Sequence, residues 1–228
     1  MLNEITQGDC MKLMKQLQNN SVTMTLTDIP YGVVNRDGGI RLFDKSDADR
    51  ETFDLSSFLE EVERVTAGGI YIFCSTEQVS LIRQFLAARK LTTRLCVWEK
   101  TNPSPVNGQY HWLSGIELCV YGRKKKATFN EHCKNTVFRY PSVRRKLHPT
   151  EKPIDLISRL ILASSQVGDI IFDPCVGSGT TCAAAKALDR QFIGFELNPI
   201  YVAYAQQRVE ATRITVDPQT TVPMKIAC

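Results

Sequence analysis

Ile170-Ile171-Phe172-Asp173-Pro174-Cys175-Val176-Gly177-Ser178-Gly179-Thr180-Thr181 reads as an apolar strand, a glycine-rich turn and the start of a helix. Gly177 and Gly179 let the backbone pass close to a ligand, and Asp173 puts a charge at the carboxyl end of the strand, where open α/β sheets bind ligands. Phosphate is the wrong ligand for this loop. No Lys follows the second glycine as in a P-loop, the three-glycine spacing of a dinucleotide fingerprint is missing, and an Asp at the mouth would repel a pyrophosphate. A cationic ligand suits it better. Glu196 ends the next strand, twenty-three residues after Asp173, about where this architecture places a carboxylate that binds ribose hydroxyls. Either acid alone reads equally well as a cap on the helix that follows it; their joint spacing points to a nucleoside that carries positive charge.

Outward from this loop the chain alternates strand and helix. Downstream, Thr180 to Leu188 is helical, Gln191 to Phe195 a strand, and Pro199 to Ala211 a helix, followed by a weakly signalled tail, Arg213 to Cys228. Upstream, Pro153 to Ser164 is a helix with Pro in its first turn, leading into the strand Asp169 to Phe172. In the first half, Asp9 to Leu17 sets Met11, Leu13, Met14 and Leu17 at helical spacing before a strand from Val22 to Leu26. Asp54 to Val65 carries Leu55, Phe58, Leu59, Val62 and Val65 on one face, and Gly68-Gly69 is expected to stop that helix before the strand Ile70 to Cys74. A helix from Ser75 to Lys90, capped by Ser75 or Thr76, and a strand from Thr92 to Trp98 repeat the unit. The fold class is therefore α/β: a doubly wound, mostly parallel sheet with helices on both faces. The middle breaks the rhythm. Thr101 to Ser114 is rich in Pro, Asn and Gly, Ile116 to Tyr121 is a strand, and Gly122 to His148 has no persistent period, so 101–147 is expected to be an insertion or long functional loop within one domain spanning 1–228.

The 228 residues, 43% apolar and 23% charged, are ordinary globular composition and fit one core. No apolar run approaches the roughly 18 residues of a membrane span, and Met1 to Gln18 lacks the apolar centre of a signal peptide, so a cytoplasmic protein without a membrane partner is expected. The eight cysteines are scattered, several in apolar runs, and read as reduced core thiols. With no C-x-x-C and His132-Cys133 as the one Cys/His neighbour pair, no metal site is expected. The net charge of +4 hides an asymmetry: Tyr121 to Lys152 holds ten Lys and Arg against Glu131 and Glu151, leaving the rest of the chain slightly acidic. A basic segment of this kind is either a polyanion contact or a solvated face.

A second loop, Leu26-Thr27-Asp28-Ile29-Pro30-Tyr31-Gly32, also ends a strand. Asp28 and a neighbouring carbonyl can accept hydrogen bonds from an amino group while Tyr31 stacks on the flat ring that bears it. Alone, the loop reads first as an Asp-Pro turn with a core Tyr.

Together these residues resemble the DNA amino-methyltransferases that use S-adenosylmethionine, in the order of their β group: catalytic loop first, recognition segment in the middle, cofactor motifs last. Asp28-Ile29-Pro30-Tyr31 is similar to the D-P-P-Y loop, and Asp173-Pro174-Cys175-Val176-Gly177-Ser178-Gly179-Thr180-Thr181 to the cofactor loop D-P-F-x-G-S-G-T-T. His148-Pro149-Thr150-Glu151-Lys152-Pro153 resembles H-P-T-x-K-P, and Gly194 to Pro199 with Tyr201 resembles the ribose-binding strand end. Any one motif is weak, but four in order are strong. Ile29 in place of the first Pro keeps a carbonyl but adds a backbone N–H and loosens the turn; Cys175 stands where the family has an aromatic.

The resemblance implies a Rossmann-like fold and methylation of the exocyclic N6 of adenine in a base extruded from double-stranded DNA. Asp28, Ile29, Pro30 and Tyr31 would carry catalysis. Asp173, Pro174, Cys175, Gly177, Ser178, Gly179, Thr180, Glu196, Leu197, Asn198, His148, Thr150, Lys152 and Pro153 would surround S-adenosylmethionine: Asp173 on the methionine ammonium, Glu196 on the ribose, and Lys152 with Thr150 near the methionine carboxylate. Arg123, Lys124, Lys125, Lys126, Arg139, Arg144, Arg145 and Lys146 would meet phosphates. Trp98 and Trp112 read either as core or as stacking platforms. The short recognition segment also leaves room for a homodimer. N4 of cytosine or an RNA base, on the same fold, is the alternative substrate, and Asp28 where the cytosine enzymes more often carry Ser leans to adenine. A noncatalytic nucleic-acid-binding protein with a vestigial cofactor fold is the alternative of another class; an NAD-dependent oxidoreductase is disfavoured by the glycine spacing.

Overall fold

The computed structural model describes residues 1–31, 54–106, 108–143 and 151–215. Among them, eight strands form one sheet in the order β1-β8-β7-β2-β3-β5-β4-β6. The elements are β1 (Glu4–Gln7), α1 (Cys10–Met14), β2 (Val22–Asp28), α2 (Leu55–Val65), β3 (Thr66–Cys74), α3 (Thr76–Ala88), β4 (Thr92–Lys100), β5 (Ile116–Arg123), β6 (Val137–Tyr140), α4 (Ile154–Ser164), β7 (Ile170–Asp173), α5 (Thr180–Ala187), β8 (Gln191–Glu196) and α6 (Pro199–Ala211). Every pairing is parallel except those of β5, which lies antiparallel between β3 and β4. Among the described residues no helix is long and apolar enough to cross a membrane.

The two-residue period of the strands divides the core into two layers. Met24, Leu26, Tyr71, Phe73 and Ile171 face one way and pack against Leu156, Leu160 and Ile161 of α4, the alanines of α5, and Val202 and Ala205 of α6. Val22, Ile70, Ile72, Phe172 and Phe195 face the other way and meet Met14 of α1, Phe58, Leu59 and Val62 of α2, and Ile82 and Leu86 of α3. The apolar stripe read on residues 55–65 is thus the face that α2 buries. The N-terminal caps follow the side chains expected of them: Asp9 Oδ1 accepts from Met11 N at 2.9 Å, and Ser75 with Gln78 closes a capping box at α3.

Three features depart from the sequence reading. Gly68-Gly69 does not stop a helix; both lie inside β3, which follows α2 directly. Beside them β2 slips register between Val22 and Met24, and a Cβ at Gly68 would come within 2.5 Å of the Thr23 carbonyl, so close approach of two strands explains the glycine. The edge strands β1 and β6 carry no periodic signal, because each buries one apolar side chain, Ile5 and Phe138. Within 101–147 the strand expected from Ile116 to Tyr121 is present as β5, and β6 adds a strand to the sheet where the sequence has no persistent period.

Six cysteines, Cys10, Cys74, Cys96, Cys119, Cys175 and Cys182, are free thiols as expected. Cys133 departs from that reading and is disulfide-bonded.

From β2 the chain winds outward through α2 to β3, and from β7 outward through α5 to β8, while β2 and β7 are themselves neighbours. The winding reverses between them. In an open α/β sheet a ligand crevice opens at the carboxyl ends of such a strand pair, and the residues at those two ends are Asp28 and Asp173.

Candidate active site

A cleft at this switch point is lined by Asp28, Phe73, Lys152 and Asp173, by the turn Cys175 to Ser178, and by Thr180 and Thr181. Asp173 is buried, and its Oδ1 accepts from Thr27 Oγ1 at 2.8 Å and from Cys175 N at 3.0 Å. Burial pushes its carboxyl up to about 6 against these hydrogen bonds. A buried acid so raised is a fit for a cation, which would favour its charged form. Gly177 and Gly179 have φ of 52° and 80°, and a Cβ at Gly179 would sit 2.8 Å from that of Ala205, so the turn requires glycine for both conformation and packing.

Glu196 braces the backbone at two points. Its Oε2 accepts from Gly177 N at 2.8 Å and its Oε1 from Asn198 N at 2.9 Å, which ties the glycine turn to the start of α6. Each carboxylate oxygen keeps a second lone pair for a hydroxyl. Asn198 spends its side chain on the cap of α6, accepting from Ile200 N at 2.9 Å, and Leu197 is exposed. Pro174 and Pro153 are buried beside the turn and before α4. Ser178 and Thr180 are held by Arg208 of α6, whose guanidinium donates to Thr180 Oγ1 at 3.0 Å and pairs with Glu151 at 2.9 Å. The sequence reading missed Arg208, since a single Arg on an exposed-looking helix carries no signal by itself.

The loop that follows Asp28 is fastened from both sides. The N–H that Ile29 adds donates to Phe73 O at 3.2 Å, and Ile29 is buried in the core, so the substitution is absorbed by the sheet. Pro30 O accepts from Gln78 Nε2 at 3.0 Å, which joins the loop to the capping box of α3. Lys152, 5% exposed, ion-pairs with Asp28 Oδ2 and with Glu117 Oε2 at 3.0 Å, and donates to Tyr31 OH at 3.4 Å. These contacts turn the Lys152 ammonium toward the Asp28 loop and β5. Glu117 is paired in turn with Lys100 at 2.9 Å. Asp28 Oδ1 is buried and has no hydrogen-bond partner among the described residues. His148 and Thr150 lie outside the described residues.

The basic group does not gather at one place. β5 starts at the carboxyl end of the sheet and runs to its amino end, so Arg123 pairs with Gly69, and Lys124 lies five residues below the row of Asp28, roughly 17 Å along the strand. There Lys124 pairs with Glu63 at 2.7 Å and Arg123 donates to Ala127 O. Arg139, exposed on β6, pairs with Glu99 at 2.9 Å. Arg144, Arg145 and Lys146 lie outside the described residues. The two tryptophans part company as well. Trp98 is 2% exposed with its Nε1 donating to Tyr140 O at 2.9 Å, whereas Trp112, on the connection between β4 and β5 at the carboxyl end of the sheet, is 100% exposed beside Tyr110 and His111. Among the described residues no cluster of His, Cys, Asp or Glu could hold a metal ion.

Residues 22–207 match a family model described as DNA methylase, N6_N4_Mtase. The chain is 29% identical to the type II methyltransferase M.HinfI of Haemophilus influenzae over 91% of this chain and 68% of that protein. It is 33% identical to the DNA adenine methyltransferase YhdJ of Escherichia coli over 90% of this chain and 82% of the other. Among solved structures it resembles the M1.HpyAVI-SAM complex, with a TM-score of 0.72 at 28% identity over 90% of this chain and 98% of that one. PvuII DNA methyltransferase, titled cytosine-N4-specific, shares the fold at a TM-score of 0.72 and 15% identity, covering 90% of this chain and 85% of its own.

Proposed function

The chain belongs to the N6_N4_Mtase family of DNA methylases, and from that premise we propose that Asp28 receives the exocyclic amine of an extruded adenine for site-specific methylation at N6. The chain is a DNA methyltransferase that uses S-adenosylmethionine. The observation that carries the catalytic assignment is the buried, unpartnered Oδ1 of Asp28 beside the cleft that Asp173 shares. A buried acceptor without a donor is costly, and an amino group supplies the missing one.

Asp173, the glycine turn and Glu196 would hold the cofactor by its ammonium, its backbone contacts and its ribose. When bound, S-adenosylmethionine supplies a methyl group on a positively charged sulfur. The exocyclic amine is a poor nucleophile because its lone pair is delocalised into the ring. Accepting an N–H at Asp28 Oδ1 favours a more tetrahedral nitrogen, and the same oxygen then takes the proton that alkylation makes acidic. Tyr31 holds the ring by stacking, with its hydroxyl tethered at Lys152 and Glu117. Extrusion of the base costs a few kcal/mol, which stacking partly recovers.

The connection from 101 to 115 stands at the same end of the sheet as Asp28 and supports a role for 101–147 in meeting a DNA duplex, with Trp112 and Arg139 on that side. The shortness of this segment favours a homodimer that enlarges the duplex contact, which sedimentation with and without DNA would read.

The test is transfer of labelled methyl to unmethylated DNA followed by nucleoside mass spectrometry. N6-methyladenine is expected; N4-methylcytosine would change the base, and label in RNA alone would refute the DNA reading. Asp28→Ala should lower transfer at least about 100-fold while leaving cofactor affinity within about twofold. Full turnover by that variant would overturn the assignment of Asp28.

A further inference from the structure

The mechanism above leaves Lys100 unused and gives Glu117 and the ammonium of Lys152 only a tether on Tyr31. We propose that Glu117 is a positioning residue for methyl transfer: anchored by Lys100, it holds the Lys152 ammonium on one oxygen of Asp28 and so keeps the other oxygen open for the target amine. The proposal deepens the reading of Asp28 as the amine acceptor and rests on it.

Four charged side chains from four segments meet here, two of each sign. Lys152 precedes α4, Asp28 ends β2, Glu117 lies near the start of β5 and Lys100 ends β4. The two oxygens of Glu117 are divided between the lysines: Oε1 takes Lys100 at 2.9 Å and Oε2 takes Lys152 at 3.0 Å. Lys152 is almost fully buried, with Phe73 packed 5.2 Å from its nitrogen, so its ammonium is held by these partners in place of water. Against a single carboxylate it would be free to lie across both oxygens. Glu117 draws it to the Oδ2 side, and Oδ1 is left buried and unpartnered among the described residues.

The charge balance agrees. Besides Lys152, Glu117 and Tyr31, the titratable groups facing Asp28 are Cys74 of β3, Cys119 of β5 and Asp173 of β7. Burial raises the Asp28 carboxyl, Lys152 pulls it back in part and Glu117 adds to the rise, so its net position is above the ordinary carboxylate range. For Glu117 burial also pushes upward, but Lys152 and Lys100 together prevail and hold it below that range. One carboxylate is thereby kept basic and the other kept charged as the anchor.

Two variants with opposite expected signs test this. Asp28 must be ionised to act, so kcat falls on the acid side as Asp28 takes a proton. In Glu117→Gln a charge that raises Asp28 is gone: the acid limb of kcat should move to lower pH, with kcat down about tenfold or more and the KM for S-adenosylmethionine within about twofold. In Lys152→Met the limb should move to higher pH. Glu117→Asp, which keeps the charge, should keep the wild-type limb and recover part of kcat. An unchanged limb in Glu117→Gln, shifts of the same sign in both variants, or a loss in Lys152→Met confined to the KM for S-adenosylmethionine would each overturn the proposal. A wild-type protein that transfers no methyl group would instead refute the catalytic reading. The anchoring is then read without turnover, by carbon-13 titration of the Asp28 carboxyl in the full chain. It should titrate lower in Glu117→Gln and higher in Lys152→Met, and an unshifted carboxyl would sink the idea.

Discussion

Asp173 shows how a single buried residue carries a pH-dependent cost in stability. Its carboxyl, raised by burial from 3.8 to about 6, binds a proton more tightly in the folded chain than in the unfolded one. The cofactor-free protein therefore loses stability as pH rises from about 4 through 6 and carries the full cost above that. Asp173→Asn removes the charge and leaves an amide oxygen for Thr27 and Cys175. At pH 7 it should stabilise the cofactor-free protein by an amount on the order of 1 to 2 kcal/mol, seen as a higher melting temperature, while weakening S-adenosylmethionine binding at least about tenfold. Calorimetric scans and titration with the cofactor measure the two effects, and a variant less stable than wild type would contradict the burial argument. In wild type the affinity should also fall as pH drops through about 6, since the protonated acid offers an ammonium no charge. At this scale the site was legible where chemistry is local: Asp28, Tyr31, Asp173 and Glu196 stand at strand ends that their own sequence marks. Lys152, Glu117 and Arg208 were not legible in these roles, because each acts on a partner more than 30 residues away.

At the scale of elements, β5 and its approach decide what surrounds the cleft. The connection from β4, rich in Pro, Asn and Gly, forms no crossover helix among its described residues, and β5 returns antiparallel and slots between β3 and β4. That turn of direction brings Glu117 beside the catalytic loop and leaves 101–115 at the cleft's end of the sheet. Trp112 there is fully exposed among the described residues, and an exposed Trp offers a stacking surface for a base. Trp112→Ala should raise the KM for DNA about tenfold with no change in melting temperature, whereas Trp112→Phe should keep most of the affinity. Equal KM values for wild type and Trp112→Ala would remove the residue from the interface. The helices were read almost to their ends because their caps and apolar stripes are local. The edge strands β1 and β6 were missed because one buried side chain gives no period.

Across the whole molecule, charge is distributed by direction of the sheet more than by sequence proximity. Arg123 ends β5 and Lys124 follows it, and both lie at the end of the sheet away from Asp28, already paired or bonded to neighbouring residues. Replacing Lys125 and Lys126, next to them, by Gln should leave the KM for DNA within about twofold, while Arg139→Gln, on the side of the cleft, should raise it and flatten its dependence on salt. A large loss from the Lys125/Lys126 variant in steady-state assays at several salt concentrations would show that DNA reaches the far end of the sheet. By itself the sequence determined the fold class, the order of the motifs and the two acidic strand ends. Alternation of period 2 with period 3.6, caps and glycine turns are set by neighbours along the chain. The tertiary structure alone decided that Lys152 serves Asp28 and Glu117, that the basic run is split, and that one Trp is core while the other is exposed. These depend on which strand ends are adjacent and which way β5 runs, and no local pattern encodes a pairing made across the sheet.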